Sequence, residues 1–295
     1  MIKINNNIVQ IILSQDNNYP DVNCYLLLKE KILIDAGPKS NMAFRRLDAV
    51  LRKLNMPLES LNMVILTHHH IDHVGLLQYF PQKLLVVGPD HLNFYSSKEY
   101  KNSIRNMLEG SNLTYEFKND IEKHLKAEII PPINSYNYVP FSEAKSILQK
   151  FNLKAMELSG HSREDILVID SEGNYFSGDI VIPKIFFNCI YEVGESFLEN
   201  QRQNYYKELD ILASANRLIL PGHGRVLTKE EVEKSILTNK KRMKRTEKKV
   251  IREINSKDIE SICKTVFMSF LPYSKFLPFS EVSSICQEYK CQSYI

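Results

Sequence analysis

The segment THHHIDHVG at 67–75 concentrates side chains that can bind a metal ion. His68, His70, Asp72 and His73 lie within six positions, directly after the apolar run MVIL. Burying this many polar groups beside an apolar strand is costly unless they have partners. Imidazole and carboxylate groups suit divalent metals such as zinc, iron and manganese. The segment therefore predicts a metal site at the end of a buried strand.

Three further candidate ligands follow in short turns that contain glycine. His161 lies in LSGHS, Asp179 in FSGDI and His223 in PGHG, each beside a predicted strand. Functional side chains are commonly held on loops at strand ends, so the backbone could bring all of them to one edge. A histidine-rich run alone is also compatible with a solvated loop, but five of the eight histidines belong to this set.

The other three histidines fit the pattern less well. His69 is predicted to point away from the cluster, because neighbouring side chains on an extended segment alternate sides. His91 and His124 have no comparable context, so they are predicted to be surface or helix residues.

The elements that must position these residues follow from short apolar runs and turn signals. Strands are predicted at 8–13, 22–28, 32–34, 63–66, 84–87, 153–158, 166–170, 175–176 and 217–220. Loops are predicted around the prolines at 131–132 and the segment NSYNY at 134–138.

Helical spacing of apolar residues predicts the remaining elements. Helices are expected at 42–54, 74–80, much of 90–126, near 195–213, from Thr228 to about 254, and at 258–270 and 280–289. Thr228 and Glu231 form a candidate capping box at the start of the long helix. LPYSKFLPF, between the last two helices, is not expected to form a continuous helix because of its prolines.

Composition indicates a soluble globular protein. The chain has 295 residues, 43% of them hydrophobic and 25% charged. It contains no run of about 18 apolar residues and no signal peptide, so a cytoplasmic, unanchored protein is expected. The cysteines at 24, 189, 263, 286 and 291 form no CxxC pair, and they are predicted to be free thiols.

The motifs together resemble the metallo-β-lactamase superfamily. The match comprises Asp35 in LIDAG, HxHxDH at 68–73, His161, Asp179 and His223, in the family's order. Such a combination is far more specific than one short motif. The resemblance implies an α/β fold, a four-layer αββα sandwich of two mixed sheets flanked by helices. It further implies a catalytic domain over 1–228, with a helical aromatic insertion at about 90–145, and a C-terminal helical extension over 229–295 that covers the active site.

The resemblance also implies roles for the residues that match the family's motifs. His68, His70 and His161 would hold one divalent metal ion, Asp72, His73 and His223 a second, and Asp179 would bridge them. Zinc is the first expectation, with iron or manganese also suited. Asp35 would orient ligands through hydrogen bonds, although it could also be an ordinary turn residue. Two such cations share and ionise a water, and Asp72 could act as a catalytic residue by orienting that nucleophile.

The expected substrate is a small acyl thioester or ester with an apolar or aromatic acyl group. The superfamily also cleaves lactones, β-lactams and phosphodiesters, so the fold does not choose the substrate. His161 lies 88 positions after His73, and the stretch between them is aromatic, helical and suited to a pocket wall. Motif spacing, GLL at 75–77, PGHG and FLP at 276–278 most resemble the alkylquinolone signal biosynthesis thioesterases, which hydrolyse 2-aminobenzoylacetyl-CoA. Glyoxalase II and N-acyl homoserine lactonase are more distant relatives. The chain has no tryptophan, and its lid and tail match only in pattern, so the particular acyl group is not transferred.

Three alternatives stay open: an endoribonuclease or phosphodiesterase, a lactonase, and a metal-bound regulatory partner protein. The first would use the basic run 240–252, which has eight basic residues and one acidic. A stripe of Ile236, Met243, Val250 and Ile254 favours instead an ordinary amphipathic helix, so nucleic acid is disfavoured as a partner. No membrane partner is expected. The apolar C-terminal helices could pack on the main domain or form a homodimer.

Overall fold

The first sheet supplies the strand end from which the histidine-rich segment begins. The computed structural model describes residues 1–15, 19–184, 189–193 and 200–289. Within these ranges the sheet has seven strands in chain order. They are β1 (Ile2–Lys3), β2 (Ile8–Leu13), β3 (Val22–Leu27), β4 (Ile32–Ile34), β5 (Met63–Ile65), β6 (Leu85–Gly88) and β7 (Asn137–Pro140). Strands β1 to β4 pair antiparallel and β4 to β7 pair parallel, so the sheet is mixed.

The second sheet supplies the other candidate ligands. Its described strands are β8 (Lys154–Leu158), β9 (Asp165–Ile169), β10 (Tyr175–Gly178) and β11 (Ile219–Pro221). Their order is β11-β10-β9-β8, with β10 parallel to β11 and the other pairs antiparallel. This sheet is therefore mixed as well.

The helices form two outer layers and a tail. They are α1 (Asn41–Lys53), α2 (Ile71–Val74), α3 (Lys98–Gly110), α4 (Tyr115–Ala127), α5 (Lys145–Lys150), α6 (Gln201–Ala213), α7 (Lys229–Glu253), α8 (Ile259–Val266) and α9 (Phe276–Glu288). Among the residues with assigned positions, no helix is long and apolar enough to cross a bilayer.

Three hydrophobic clusters define the layers. One cluster joins the two sheets face to face, with Tyr25 and Met63 from the first and Phe176 from the second. Another packs helices such as α1 on the outer face of the first sheet, and the third packs α6 and α7 on the outer face of the second. This arrangement confirms the predicted α/β sandwich of two mixed sheets.

The insertion and the tail share one cluster with the first sheet. Ile104 and Phe117 of the insertion belong to the same buried cluster as Ile262 and Phe279 of the tail. The tail therefore packs against the insertion through apolar side chains. The predicted domain boundary at 228/229 stays a prediction.

Several element predictions need correction. The predicted loop at 134–138 ends in strand instead, because residues 137 and 138 belong to the edge strand β7. Residues 75–79 of the predicted helix 74–80 form a 3₁₀ helix after the short α2. Helix α9 begins at Phe276 rather than near 280, because Pro278 lies in the first turn, where a backbone N–H has no helical partner. Of the helix expected near 195–213, residues 195–199 lie outside the described ranges.

Other predictions are confirmed by the contacts. Thr228 and Glu231 form the capping box that begins α7, with the Thr228 N–H donating to Oε2 of Glu231 at 3.0 Å. Cys24, Cys189 and Cys263 are buried free thiols, Cys286 is also buried, and Cys291 lies outside the described residues.

Candidate metal centre

Strand ends bring the seven candidate ligands to one edge of the sandwich. His68 and His70 follow β5, and Asp72 and His73 lie on α2. The other three follow the second sheet's strands, His161 after β8, Asp179 after β10 and His223 after β11. Ligand atoms from these residues fall into overlapping groups whose members lie within 4.8 Å of one another. The structure thus brings together all seven side chains singled out from the sequence.

The first group contains only imidazoles. His68, His70 and His161 could hold one ion, with Nε2 of His161 3.2 Å from Nδ1 of His70. The ring centroids of His68 and His161 are 5.0 Å apart and nearly perpendicular. The nitrogen atoms of three rings therefore converge on one point.

The second group mixes imidazole and carboxylate. Asp72, His73 and His223 could hold another ion, with Nε2 of His223 3.3 Å from Oδ2 of Asp72. Nε2 of His73 lies 3.9 Å from Oδ1 of Asp72. The donors are nitrogen and oxygen atoms, which suit divalent zinc, iron or manganese.

Asp179 lies between the two groups. Its Oδ2 is 3.8 Å from Nε2 of His161 and 3.3 Å from Nε2 of His223, while its Oδ1 is 3.5 Å from Nε2 of His73. One carboxylate therefore reaches ligands of both groups.

Hydrogen bonds at the outer ring nitrogens determine which imidazole nitrogens face the cluster. His73 Nδ1 is 2.8 Å from a carboxylate oxygen of Asp35, and His223 Nδ1 is 2.8 Å from the Asp21 carbonyl. Both oxygens only accept, so both Nδ1 atoms donate. Thr67 Oγ1 donates to Asp35 at 2.9 Å, which leaves its oxygen to accept from His68 Nδ1 at 3.0 Å. In all three rings, Nε2 is the atom directed at the cluster.

Several of these inward atoms are buried and lack hydrogen bonds. Nε2 of His68, Nε2 of His73 and Oδ1 of Asp179 have no hydrogen-bond partner among the described residues. Buried polar atoms are nearly always satisfied in proteins, so an unsatisfied set that converges on one point fits a bound cation. The residues present therefore fit the metal ions that the fold implies.

Burial and charge divide the cluster into two electrostatic parts. Burial and His161 lower the pKa of His70 to about 3, so this ring is neutral. Burial lowers the pKa of His223, but Asp179 and Asp72 outweigh burial and raise it to about 10. Burial raises the pKa of Asp179, but His223 and His73 outweigh burial and hold it well below its ordinary value. The second group therefore balances carboxylates with protonated imidazole in the metal-free protein.

Asp35 organises the segment that carries the first ligands. Besides contacting His73, its Oδ1 accepts the backbone N–H of Thr67 at 2.7 Å. Its backbone has a φ of 61°, the left-handed region that aspartate and asparagine tolerate better than most residues. Asp35 therefore holds both the His73 ring and the backbone next to His68 by hydrogen bonds.

Asp165 is a supporting residue that sequence reasoning missed. Its carboxylate accepts the backbone N–H groups of Gly160, His161 and Ser162, at 3.2, 2.9 and 2.9 Å for Oδ2. It also accepts the Ser162 hydroxyl at 2.7 Å. An aspartate four positions after His161 was the available signal, since short acidic side chains commonly hold turns together.

Two glycines give the ligands room. A Cβ at Gly222 would lie 2.2 Å from Oδ1 of Asp179 and 2.6 Å from the ring of His73. Gly178 has a φ of 47°, and a Cβ there would lie 2.6 Å from Oγ1 of Thr67. Both glycines belong to the motifs that carry the ligands.

The remaining histidines are not among the seven, although the His69 ring lies beside that of His70, with centroids 4.6 Å apart. His69 turns towards the insertion, where it stacks on Tyr95 with ring centroids 3.5 Å apart and lies 3.7 Å from Glu192. His91 is largely exposed and contacts Glu164. His124 lies on α4 and stacks on Phe276 of the tail, at 4.2 Å between centroids. The surface position of His91 and the helix position of His124 agree with expectation, whereas His69 turns towards Tyr95 but stays within 4.8 Å of ligand atoms of His70 and Glu192.

A mixed-sheet αββα sandwich with clustered histidine and aspartate side chains at its strand ends is the architecture of a metal-dependent hydrolase. Comparison with known proteins gives the same result, because residues 19–223 match the family model of the metallo-beta-lactamase superfamily. The chain belongs to this superfamily.

The chain is similar to known proteins over nearly its whole length. The chain is 26% identical over 278 residues to a Bacillus subtilis protein named probable metallo-hydrolase YqjP, covering 89% of this chain and 86% of the relative. Its fold is similar to that of a metallo-beta-lactamase family protein from Thermus thermophilus, with a TM-score of 0.75, 17% identity, and 98% and 95% of the two chains covered. A beta-lactamase domain protein from Burkholderia ambifaria gives a TM-score of 0.72 at 16% identity, covering 97% and 86%.

Proposed function

We propose that the chain is a dinuclear metal-dependent hydrolase that cleaves a thioester or ester of a small apolar or aromatic acyl group. In this proposal His68, His70 and His161 would hold one ion, and Asp72, His73 and His223 would hold the other. Asp179 would bind both, since its carboxylate reaches ligands of both groups. The observation that carries the proposal is the set of inward Nε2 atoms, two of them buried without partners, arranged around one carboxylate.

When bound, two divalent ions, with zinc as the first expectation, supply a Lewis acid and an ionised water at neutral pH. Residues of the chain orient the nucleophile. Asp72 is the most accessible carboxylate of the cluster, with its side chain 20% exposed, and Gln15 Nε2 donates to its Oδ2 at 3.0 Å. Asp72 is therefore placed to align a nucleophile while Gln15 fixes the carboxylate plane.

The insertion and the tail favour an acyl substrate. Tyr95 of the insertion stacks on His69, next to the candidate ligands. Glu128, at the end of α4, accepts the Ile71 backbone N–H at 3.2 Å, so the insertion also contacts the start of α2. Phe276 of the tail stacks on His124, one turn before Glu128, so the insertion and the tail also meet through aromatic groups. Such walls suit an apolar or aromatic acyl group.

Activity against a substrate panel tests this proposal. Zinc-loaded protein should hydrolyse short aromatic or aliphatic acyl-CoA thioesters faster than lactones and much faster than bis-p-nitrophenyl phosphate. Asp72→Asn should lower thioester turnover by about 100- to 10,000-fold, since it removes a charged ligand and an aligning group. Asp48→Asn, a change on the outer helix α1, serves as the matched control. Robust phosphodiester cleavage without acyl turnover would overturn the proposal.

One observation favours a second candidate, a phosphodiesterase that binds nucleic acid. Six basic residues of α7 are exposed and recur every three or four positions along one face: Lys241, Lys244, Arg245, Lys248, Lys249 and Arg252. Ile236, Met243, Val250 and Ile254 are buried on the opposite stripe, as an amphipathic helix requires. In this second candidate the exposed basic face would contact the phosphates of the nucleic acid. The phosphodiester arm of the panel distinguishes the two candidates.

A further inference from the structure

A further group of possible ligands lies beside the seven side chains of the candidate metal centre. Ligand atoms of His69, His70 and Glu192 lie within 4.8 Å of one another. His70 also belongs to the all-imidazole group, whereas His69 and Glu192 are not among the seven. Two additional side chains therefore lie within reach of a ligand that is already assigned to an ion.

His69 and Glu192 are separated by a distance that suits a shared cation. Nε2 of His69 is 3.7 Å from Oε2 of Glu192, and both side chains are 8% exposed. This distance is too long for a hydrogen bond. Two atoms bound to one tetrahedral zinc ion at about 2.0–2.1 Å lie roughly 3.3–3.4 Å apart, so a small movement would let both atoms bind the ion.

The surroundings of Glu192 hold its carboxylate in place but do not neutralise it. Oε1 accepts the Arg163 backbone N–H at 3.0 Å, and Oε2 accepts the Tyr95 hydroxyl at 3.2 Å. Within the described chain, its ion-pair partner is His69 rather than a lysine or arginine. A buried carboxylate is costly without a cation, and burial accordingly raises the pKa of Glu192 to about 7. A metal ion at this place would supply the charge.

The His69 ring is suited to bind such an ion. Burial holds the pKa of His69 well below its ordinary value, so the ring is neutral and one of its nitrogens carries a lone pair. The ring stacks on Tyr95 with centroids 3.5 Å apart, which fixes its plane. Its Nδ1 is buried and has no hydrogen-bond partner in the described part of the chain. A neutral imidazole in a fixed orientation and a carboxylate are both common zinc ligands.

His70 connects this pair to the candidate metal centre. Its Nδ1 lies 3.2 Å from Nε2 of His161, and its ring centroid lies 4.6 Å from that of His69. A neutral imidazole has one lone pair, so His70 can bind only one ion at a time. An ion held by His69 and Glu192 would therefore compete for His70 with the ion of the all-imidazole group.

We propose that His69 and Glu192, with His70 shared, form a third zinc position whose occupation inhibits the enzyme. This proposal rests on the dinuclear function proposed above. The ion of the all-imidazole group would keep His68 and His161 but lose His70. The third ion should bind more weakly than the other two, since it has two ligands of its own and the Arg163 charge acts on Glu192.

The number of bound zinc ions tests the third position without any substrate. Full-length protein dialysed against rising free zinc should bind two ions first, and a third at a free concentration at least about tenfold higher. Glu192→Gln should keep two ions and lose the third, as should His69→Phe, which preserves the ring stacked on Tyr95. Retention of two ions also shows that each variant is folded. Glu164→Gln is the matched control, because Glu164 is a buried glutamate that contacts another histidine, and it should bind three ions.

Inhibition by zinc provides a second measurement, which a simple hydrogen-bond network would not change. With whichever panel substrate is hydrolysed, excess zinc should inhibit the wild type and Glu164→Gln. Glu192→Gln should require at least about tenfold more zinc for the same inhibition. A third ion retained in both Glu192→Gln and His69→Phe, or equal inhibition of the wild type and Glu192→Gln, would overturn the proposal. A wild type that binds fewer than two ions would instead overturn the dinuclear function itself, so the two failures are distinguishable.

Discussion

Asp35 shows at the scale of single residues how one carboxylate organises several ligands. It accepts hydrogen bonds from the Thr67 backbone N–H and from His73 Nδ1, so it determines both the turn at Thr67 and the tautomer of the His73 ring. Asp35→Asn keeps the shape and the left-handed backbone but presents an amide to His73. Metal affinity, measured by competition with a chromogenic chelator, should fall by about 10- to 100-fold. Asp170→Asn, at a buried aspartate in a separate turn, should not change it, and an unchanged affinity for Asp35→Asn would contradict this role.

Gly222 lies so close to two candidate ligands that there is no room for a side chain. Its replacement by alanine places a methyl group against Asp179 and His73, where a Cβ has no room. We expect Gly222→Ala to bind metal at least about tenfold more weakly, because displacement of the two ligands lowers the affinity for the ion. Gly110→Ala is the matched control, since its Cβ would meet nothing within 4 Å and alanine favours the helix. Similar metal affinity for both variants would show that the turn after β11 adapts.

The difference between predictable and unpredictable residues has a physical origin. Candidate ligands such as His161 and Asp179 could be found because ligand type and position after a strand are both visible in a sequence. Asp165 could not, because it acts through backbone N–H groups whose directions depend on the folded turn. The outward rotation of His69 was predictable from strand alternation, but its stacking on Tyr95 was not.

At the scale of elements, a buried arginine joins three helices. Arg202 of α6 is 2% exposed and binds Glu247 of α7 at 3.0 Å and Glu281 of α9 at 3.1 Å. Arg202→Met leaves Glu281 buried without its cation and should lower the free energy of unfolding by about 3–5 kcal/mol. Urea denaturation measures this loss.

Two comparisons make this prediction specific. Lys240→Met breaks the ion pair with the exposed Asp210 and should change stability by less than about 1 kcal/mol. Arg202→Met combined with Glu281→Leu should recover part of the loss, since an apolar pair replaces an unpaired charge. Equal effects of Arg202→Met and Lys240→Met would mean that the three helices do not depend on the buried pair.

Errors in predicting the elements occurred where local patterns are weak. Strand β7 has four residues, none of them fully buried, so neither alternation nor a continuous apolar run identifies it. It forms because Asn137 to Pro140 pair in parallel with β6, a non-local contact. Helix α7, in contrast, has a capping box and a long apolar stripe, and its bounds were predicted to within a residue or two.

At the scale of the whole molecule, metal binding and folding are coupled. The candidate ligands lie between positions 68 and 223, so only the folded chain brings them together. A metal at about 100 times its dissociation constant would stabilise the fold by about 2.7 kcal/mol. Chelation should therefore lower the midpoint of thermal unfolding, and readdition of zinc should restore it.

The pH dependence of this stabilisation follows from the opposite pKa shifts within the cluster. In the metal-free protein the pKa of His223 is raised to about 10, so its stabilising contribution is present below about 6.5 and is lost as the pH rises towards 10. The pKa of His70 is lowered to about 3, so protonation of the unfolded chain costs stability as the pH falls below about 6.5. A metal ion must displace the proton from His223, and this displacement becomes easier with rising pH. At a fixed free zinc concentration, the gain in unfolding temperature should therefore be larger at pH 8 than at pH 6, and His223→Ala should reduce the difference. A gain that is equal or smaller at pH 8 would show that His223 does not exchange its proton for a metal ion.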